Sequence, residues 1–220
     1  MNKFQKMVAG IKSISEDSIT PDLYKCADAA YQYYVSLFGM PKDASWKYEI
    51  ITAPVATVGR DPFRRMYIVA VRISDQNSER RLASAAHEMY HRVTLLRKGL
   101  HRQHLWVDEM LAFLATDRFL RDYGLRAYCD AELKRRYATP HRLKIETLKG
   151  LRRRPNLFGL VRPQYPPDFA STIAVLGKTI EELVGWEHIC QLVHCRTWQD
   201  WIASLPQQVQ PRIRQILQEC

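Results

Sequence analysis

Residues 78–94 read SERRLASAAHEMYHRVT, and this stretch decides how the chain is read. Leu82, Ala85, Ala86, Met89, Val93 and Leu96 recur at helical spacing, so the pattern predicts a helix from about Glu79 to Lys98, ended by Gly99. On that helix His87 and His91 lie four residues apart on one face, close enough for both imidazoles to bind one metal ion. Glu88 is rotated by roughly 100° from His87. Its carboxylate therefore sits beside a metal rather than on it, where it can hold a water. Zinc lowers the pKa of a bound water to about 7, and a neighbouring glutamate can take its proton as it attacks a carbonyl. The alternative is a surface helix carrying a histidine pair by accident. Against it, Ala83, Ser84 and Leu95 flank the pair, with almost no charge to solvate such a face.

A zinc site of this kind needs a third protein ligand. Residues 105–120, LWVDEMLAFLATDRFL, predict a second helix from about Leu105 to Tyr123, ended by Gly124. Glu109 shares its face with Leu105, Ala112, Phe113 and Thr116, while Asp117, Arg118, Arg121 and Asp122 lie round the other side. An ionised carboxylate in an apolar stripe is costly without a partner. A zinc ion is one such partner, and an arginine across a helix interface is another. Asp108, one step round, is either a partner for a ligand histidine or a solvated acid.

His87-Glu88-x-x-His91 followed by Glu109 in a short Asp-Glu-x-x-Ala stretch resembles the gluzincin metallopeptidases, the thermolysin-like and aminopeptidase-like zincins. The resemblance implies His87, His91 and Glu109 as zinc ligands and Glu88 as general base. It also implies that the strand Met66–Ile73 corresponds to the edge strand pairing with substrate backbone, with Val69 and Val71 as substrate-binding positions. Tyr165, before a helix expected over 168–184, corresponds to the residue that stabilises the oxyanion; packing is its other reading. The chain departs from the family at Arg92, Asp108 and Met110, and the 17 residues between His91 and Glu109 are slightly fewer than usual. The loop 99–104 would absorb that difference.

Other histidines and cysteines offer competing sites. A metzincin arrangement needs glycine at 94 and histidine at 97, where this chain has Thr94 and Arg97. His101 could be a third ligand without that turn; otherwise His101 and His104 read as solvated loop residues. His188, Cys190, His194 and Cys195 cluster in sequence, but one helix over 186–194 could not aim all four at one ion.

Working outward, Phe4, Met7, Val8, Ile11 and Ile14 predict a short first helix, and Thr20-Pro21 opens another that runs to Phe38 before Gly39 and Pro41. KYEIITA (47–53) and MYIVAVRI (66–73) predict strands, with Pro54, Gly59 and Pro62 punctuating the connection. Further helices are expected near 127–138, 186–194 and 198–218, the last broken at Pro206, with an irregular proline-rich crossing over 150–167. The order predicts an α+β fold: a zincin-like core with a small N-terminal sheet, an active-site helix and a mainly helical C-terminal half. One compact domain over 1–220 is expected, with a helical segment 1–44, the sheet and metal helices over 45–125, and a helical part 126–220.

The 220 residues carry a net charge of +10. Residues 134–163 hold ten basic residues against one acid, Glu146, and so account for +9 of it. A uniformly basic, histone-like protein is excluded; the charge needs a local explanation. Arg152, Arg153 and Arg154 in this stretch read as a selector for acidic peptide or protein substrates. A solvated rim and a nucleic-acid contact are the other readings. The last underlies the alternative function, a zinc-stabilised binding module without turnover that docks an acidic partner or nucleic acid through 134–163. No apolar run approaches the roughly 18 residues that span a bilayer, and Lys6 and Lys12 interrupt the N-terminal apolar residues, so no membrane association and no secretory signal are expected. Five scattered cysteines read as free thiols of a reducing compartment, which predicts a cytoplasmic protein.

Overall fold

Leu23, Cys26, Ala27, Ala30, Tyr34 and Phe38 recur every three or four residues and are all buried, which is why residues Pro21–Phe38 form a helix, α1, with one side in the core. The computed structural model describes residues 21–53, 56–72, 77–139, 145–151, 165–166 and 168–219. The helix expected over 4–14, the end of the strand at Ile73, most of the proline-rich crossing, and Arg152, Arg153 and Arg154 lie outside the described residues. Gly39 follows α1 at φ 83°, a left-handed position that an L side chain rarely adopts, and stops the helix as expected.

Three strands follow: β1 (Lys47–Ala53), β2 (Thr57–Asp61) and β3 (Met66–Arg72). They make one sheet in the order β1-β3-β2. β1 runs parallel to β3, with Ile50 opposite Val69, and β2 runs antiparallel to it, with Val58 opposite Val69. This arrangement corrects two expectations. First, 57–61 is a strand, not part of a punctuated connection. Asp61 Oδ1 accepts from the backbone N–H of Phe63 and of Arg64, both at 3.1 Å, and so closes a tight hairpin that the glycine and prolines did not advertise. Second, Met66–Arg72 is the central strand, flanked on both sides. Val69 is paired on both sides, with Ile50 and Val58, and the side chains of Val69 and Val71 are fully buried, so this strand is not the edge strand expected; the edges of the sheet are β1 and β2.

Helix α2 (Ser78–Thr94) carries the histidine motif. Asn77 caps it, its Oδ1 accepting from Arg80 N–H at 3.1 Å. From Ala85 onward nearly every residue of α2 is buried, the polar ones included. The helix stops at Thr94 rather than Lys98. The reason lies just downstream, where α3 (Leu100–Gln103) is pinned: Leu100 N–H donates to Cys195 O at 2.8 Å. Gly99 passes so close that a Cβ there would lie 2.0 Å from Val193 O. The chain must turn between 95 and 98 to reach that contact.

The remaining helices are α4 (Leu105–Asp122), α5 (Arg126–Ala138), α6 (Ile145–Gly150), α7 (Phe169–Val184), α8 (Trp186–Cys190), α9 (Trp198–Ser204) and α10 (Gln210–Glu219), with a 3-10 turn at Gln191–Val193. The helix expected over 186–194 thus ends at Cys190, and α3 and α6 were not foreseen. α7 packs tightly on α4 at Gly177, where a Cβ would meet Met110 Cγ at 2.8 Å. A charge network ties the same two helices together. Asp117 accepts from Lys178 at 2.9 Å and from Arg121 at 3.0 Å, and Arg118 pairs with Glu181 at 2.7 Å. Trp198 stacks on Trp106 with centroids 5.7 Å apart, which seats α9.

The contacts cluster into two compact units; among the described residues the first ends at Val93 and the second starts at Thr94. The first holds α1, the sheet and almost all of α2, and the second the other helices. The fold is α+β, mainly helical with one small sheet. Among the described residues, no helix is long and apolar enough to cross a membrane.

Candidate metal centre

Helical spacing brings the two histidine rings of α2 together as the sequence predicts. Their centroids are 4.9 Å apart and their Nε2 atoms 3.2 Å apart. That separation can be checked against coordination chemistry. Two nitrogens about 2.05 Å from one zinc at the tetrahedral angle lie about 3.3 Å from each other. The pair therefore already has the spacing of two ligands on one ion. His91 is buried and edge-on to Tyr90, with centroids 5.4 Å apart; Tyr90 in turn packs edge-on against Phe38 at 5.6 Å. This packing limits the rotamers open to His91.

Among the described residues, one group of histidine, cysteine and acidic side chains could hold a metal ion: His87, His91 and Glu109. Each offers one ligand atom, and the three atoms lie within 4.8 Å of one another. Two imidazoles and a carboxylate are a donor set that would suit zinc. Glu88 is only 5% exposed, on the helix that carries both histidines.

Tyr165 lies beside Glu109. Its phenol donates to Glu109 Oε1 at 3.3 Å, and its ring stacks on Phe169 with centroids 4.5 Å apart. The packing reading of Tyr165 is therefore met by its ring, and its hydroxyl is directed to the Glu109 carboxylate. Asp108 is buried at 1% exposure, which removes its reading as a solvated acid.

The competing histidines are accounted for differently. His101 is fully buried and its Nε2 bonds the Thr94 carbonyl at 3.2 Å, at the C-terminal end of α2. His104 Nε2 accepts from Trp198 Nε1 at 3.2 Å. Neither is a solvated loop residue, and His101 lies outside the metal-capable group. His188, Cys190, His194 and Cys195 form no such group among the described residues. The described cysteines, Cys26, Cys129, Cys190 and Cys195, are free thiols. Burial pushes Cys26 and Cys190 up to about 12 and Cys129 up to about 11, which leaves them protonated and unreactive at neutral pH.

Arg92, which departs from the family pattern, is buried and held on several sides. It is 4% exposed, its guanidinium lies over the rings of Tyr31, Tyr48 and Tyr67, and its Nη2 donates to Trp46 O at 2.8 Å. Sequence reasoning missed this cage. Its walls come from α1, β1 and β3, so no periodicity along the chain announces it.

Part of the basic stretch is also engaged. Arg135 and Arg136 both pair with Glu132, at 2.7 and 3.0 Å. Arg136 also donates to Ala170 O, and Lys149 donates to Leu217 O, each at 2.7 Å. These charges hold the helical unit together.

No family model, no curated protein and no solved structure matches the chain.

Proposed function

We propose that the protein is a zinc-dependent peptidase of gluzincin type with a zincin-like core. His87, His91 and Glu109 hold the metal, and the observation that carries this reading is the convergence of one ligand atom from each within 4.8 Å. A zinc ion held by these three residues would supply Lewis acidity toward a substrate carbonyl and a water near neutral pH. Glu88 acts as general base: its buried carboxylate takes a proton from the attacking water and returns it to the departing amine. Tyr165, whose hydroxyl already reaches Glu109, donates a hydrogen bond to the oxyanion that develops on the carbonyl. Acidic peptides are the favoured substrates, selected by Arg152, Arg153 and Arg154. Free thiols at all four described cysteines agree with work in the cytoplasm.

The test is Glu88→Gln. Zinc content persists in the variant while hydrolysis of a casein or peptide substrate disappears. A wild-type protein without zinc overturns the reading, as does a Glu88→Gln variant that still cleaves.

A further inference from the structure

Arg92 follows a metal-site histidine and is buried, although an apolar residue would fill its place at lower desolvation cost. Its surroundings explain what an apolar residue would lack. The guanidinium carbon lies 4.3 Å from the ring centre of Tyr31 on α1, 4.8 Å from that of Tyr48 on β1 and 5.3 Å from that of Tyr67 on β3. Nη2 donates to Trp46 O at 2.8 Å, and Nη1 approaches Met89 Sδ at 3.9 Å.

The walls of this cage are themselves held. The Tyr48 hydroxyl donates to Asp28 and the Tyr67 hydroxyl to Asp43, both at 2.6 Å. Asp43 pairs with Arg60 at 3.1 Å, and the Arg60 guanidinium covers Trp46 at 4.6 Å. Two layers of directional contacts therefore tie one side chain of α2 to α1 and to two strands.

We propose that Arg92 is a positioning residue for the metal site, fixing the rotation of α2 about its own axis and so the direction in which His87 and His91 point. The inference rests on the metal reading of that pair. Apolar contacts slide; a planar guanidinium set over three rings and hydrogen-bonded to a carbonyl does not. The lever is long. Side-chain ends lie about 5–6 Å from a helix axis, so a 20° rotation moves them by about 2 Å. Metal–ligand distances tolerate only about 0.2 Å. A helix packed by shape alone would leave the histidines under-determined on that scale. Arg92 acts through His91 and His87 and touches no substrate.

The test compares full-length wild type, Arg92→Met and Arg92→Lys. Zinc affinity is measured by chelator competition on folded protein, the visible d–d bands are recorded after cobalt loading, and urea denaturation is followed without metal. Arg92→Met should weaken zinc binding tenfold or more, as loss of the groups that orient metal ligands does, and should alter the cobalt bands. Arg92→Lys keeps the charge without the planar fork and should recover only part of the affinity. Should Arg92→Met not fold, Tyr31→Leu carries the test by removing one wall, with a smaller change in the same direction. Lower stability with unchanged zinc affinity and unchanged cobalt bands overturns the inference and leaves Arg92 purely structural. A wild type that binds neither metal overturns the metal reading and this inference with it, so the two failures are told apart by the wild-type control.

Discussion

Glu109 is the proposed third ligand, outside the histidine motif, and Glu109→Gln tests it while keeping the side chain's size. Structural zinc sites with four protein ligands are worth about 10–16 kcal/mol in apparent binding free energy. Shared over four ligands, that is about 2.5–4 kcal/mol each, or two to three powers of ten in affinity. The three ligand atoms lie within 4.8 Å of one another, so each should carry a share of that order. The assay is thermal denaturation at fixed zinc. At a hundred times its Kd, zinc stabilises the wild type by about 2.7 kcal/mol. For a chain of 220 residues, that raises Tm by about 5–11 °C. In Glu109→Gln the same zinc concentration equals the new Kd or falls below it. The stabilisation then drops to at most about 0.4 kcal/mol, a shift of about 2 °C or less. Tyr165→Phe is the control: it removes the hydrogen bond to Glu109 and leaves the carboxylate, so the zinc-dependent shift should survive. If Glu109→Gln shows the full wild-type shift, the third ligand lies elsewhere and the site as described is wrong.

Other expectations follow from the same structure. Gly99→Ala sets a Cβ 2.0 Å from the Val193 carbonyl oxygen, a backbone atom that cannot swing away, and should cost about 3 kcal/mol or more in urea denaturation. Gly177→Ala meets the flexible Met110 side chain and should cost about 1 kcal/mol; equal losses at the two positions would refute the packing described. Cys26, Cys129 and Cys190 have folded pKa values raised to about 12, 11 and 12 from 9.0, so their contribution to stability is intact below about pH 9 and is lost as pH rises towards 11–12. Cys26→Ala should flatten that alkaline decline in a pH series of denaturation curves, and an unchanged slope would contradict it. Replacing Arg152, Arg153 and Arg154 together by alanine should lower kcat/KM for acidic peptides, most at low salt, and leave zinc content unchanged. Salt-dependent binding of nucleic acid that this variant loses, with no effect on cleavage, would favour a docking role for the segment.

Much of the site was legible along the chain because its parts are local. Two histidines four apart on a helix must share a face, and a carboxylate inside an apolar stripe must have a partner; neither statement needs a tertiary structure. The same holds for α1, β1, β3, α4 and α7, whose apolar spacing and glycine stops recur in the structure to within a residue or two at each end. What failed to show were features built from distant residues. β2 is a short strand with a glycine at its centre, and it exists because β3 offers it an antiparallel partner. The central place of β3, which pairs Val69 on both sides, follows from strand order, and strand order leaves no periodic trace. His101 and His104 looked solvated because a basic turn surrounds them. His101 is buried and His104 half-buried, and contacts some ninety residues away hold this turn, where Trp198 meets His104 and Cys195 pins Leu100. The sequence by itself determined the helix that carries His87, Glu88 and His91, because backbone periodicity is a local property. Only the tertiary structure decided that Arg92 belongs to a cage of tyrosines, because that depends on where separately folded elements, α1, β1 and β3, come to rest against α2.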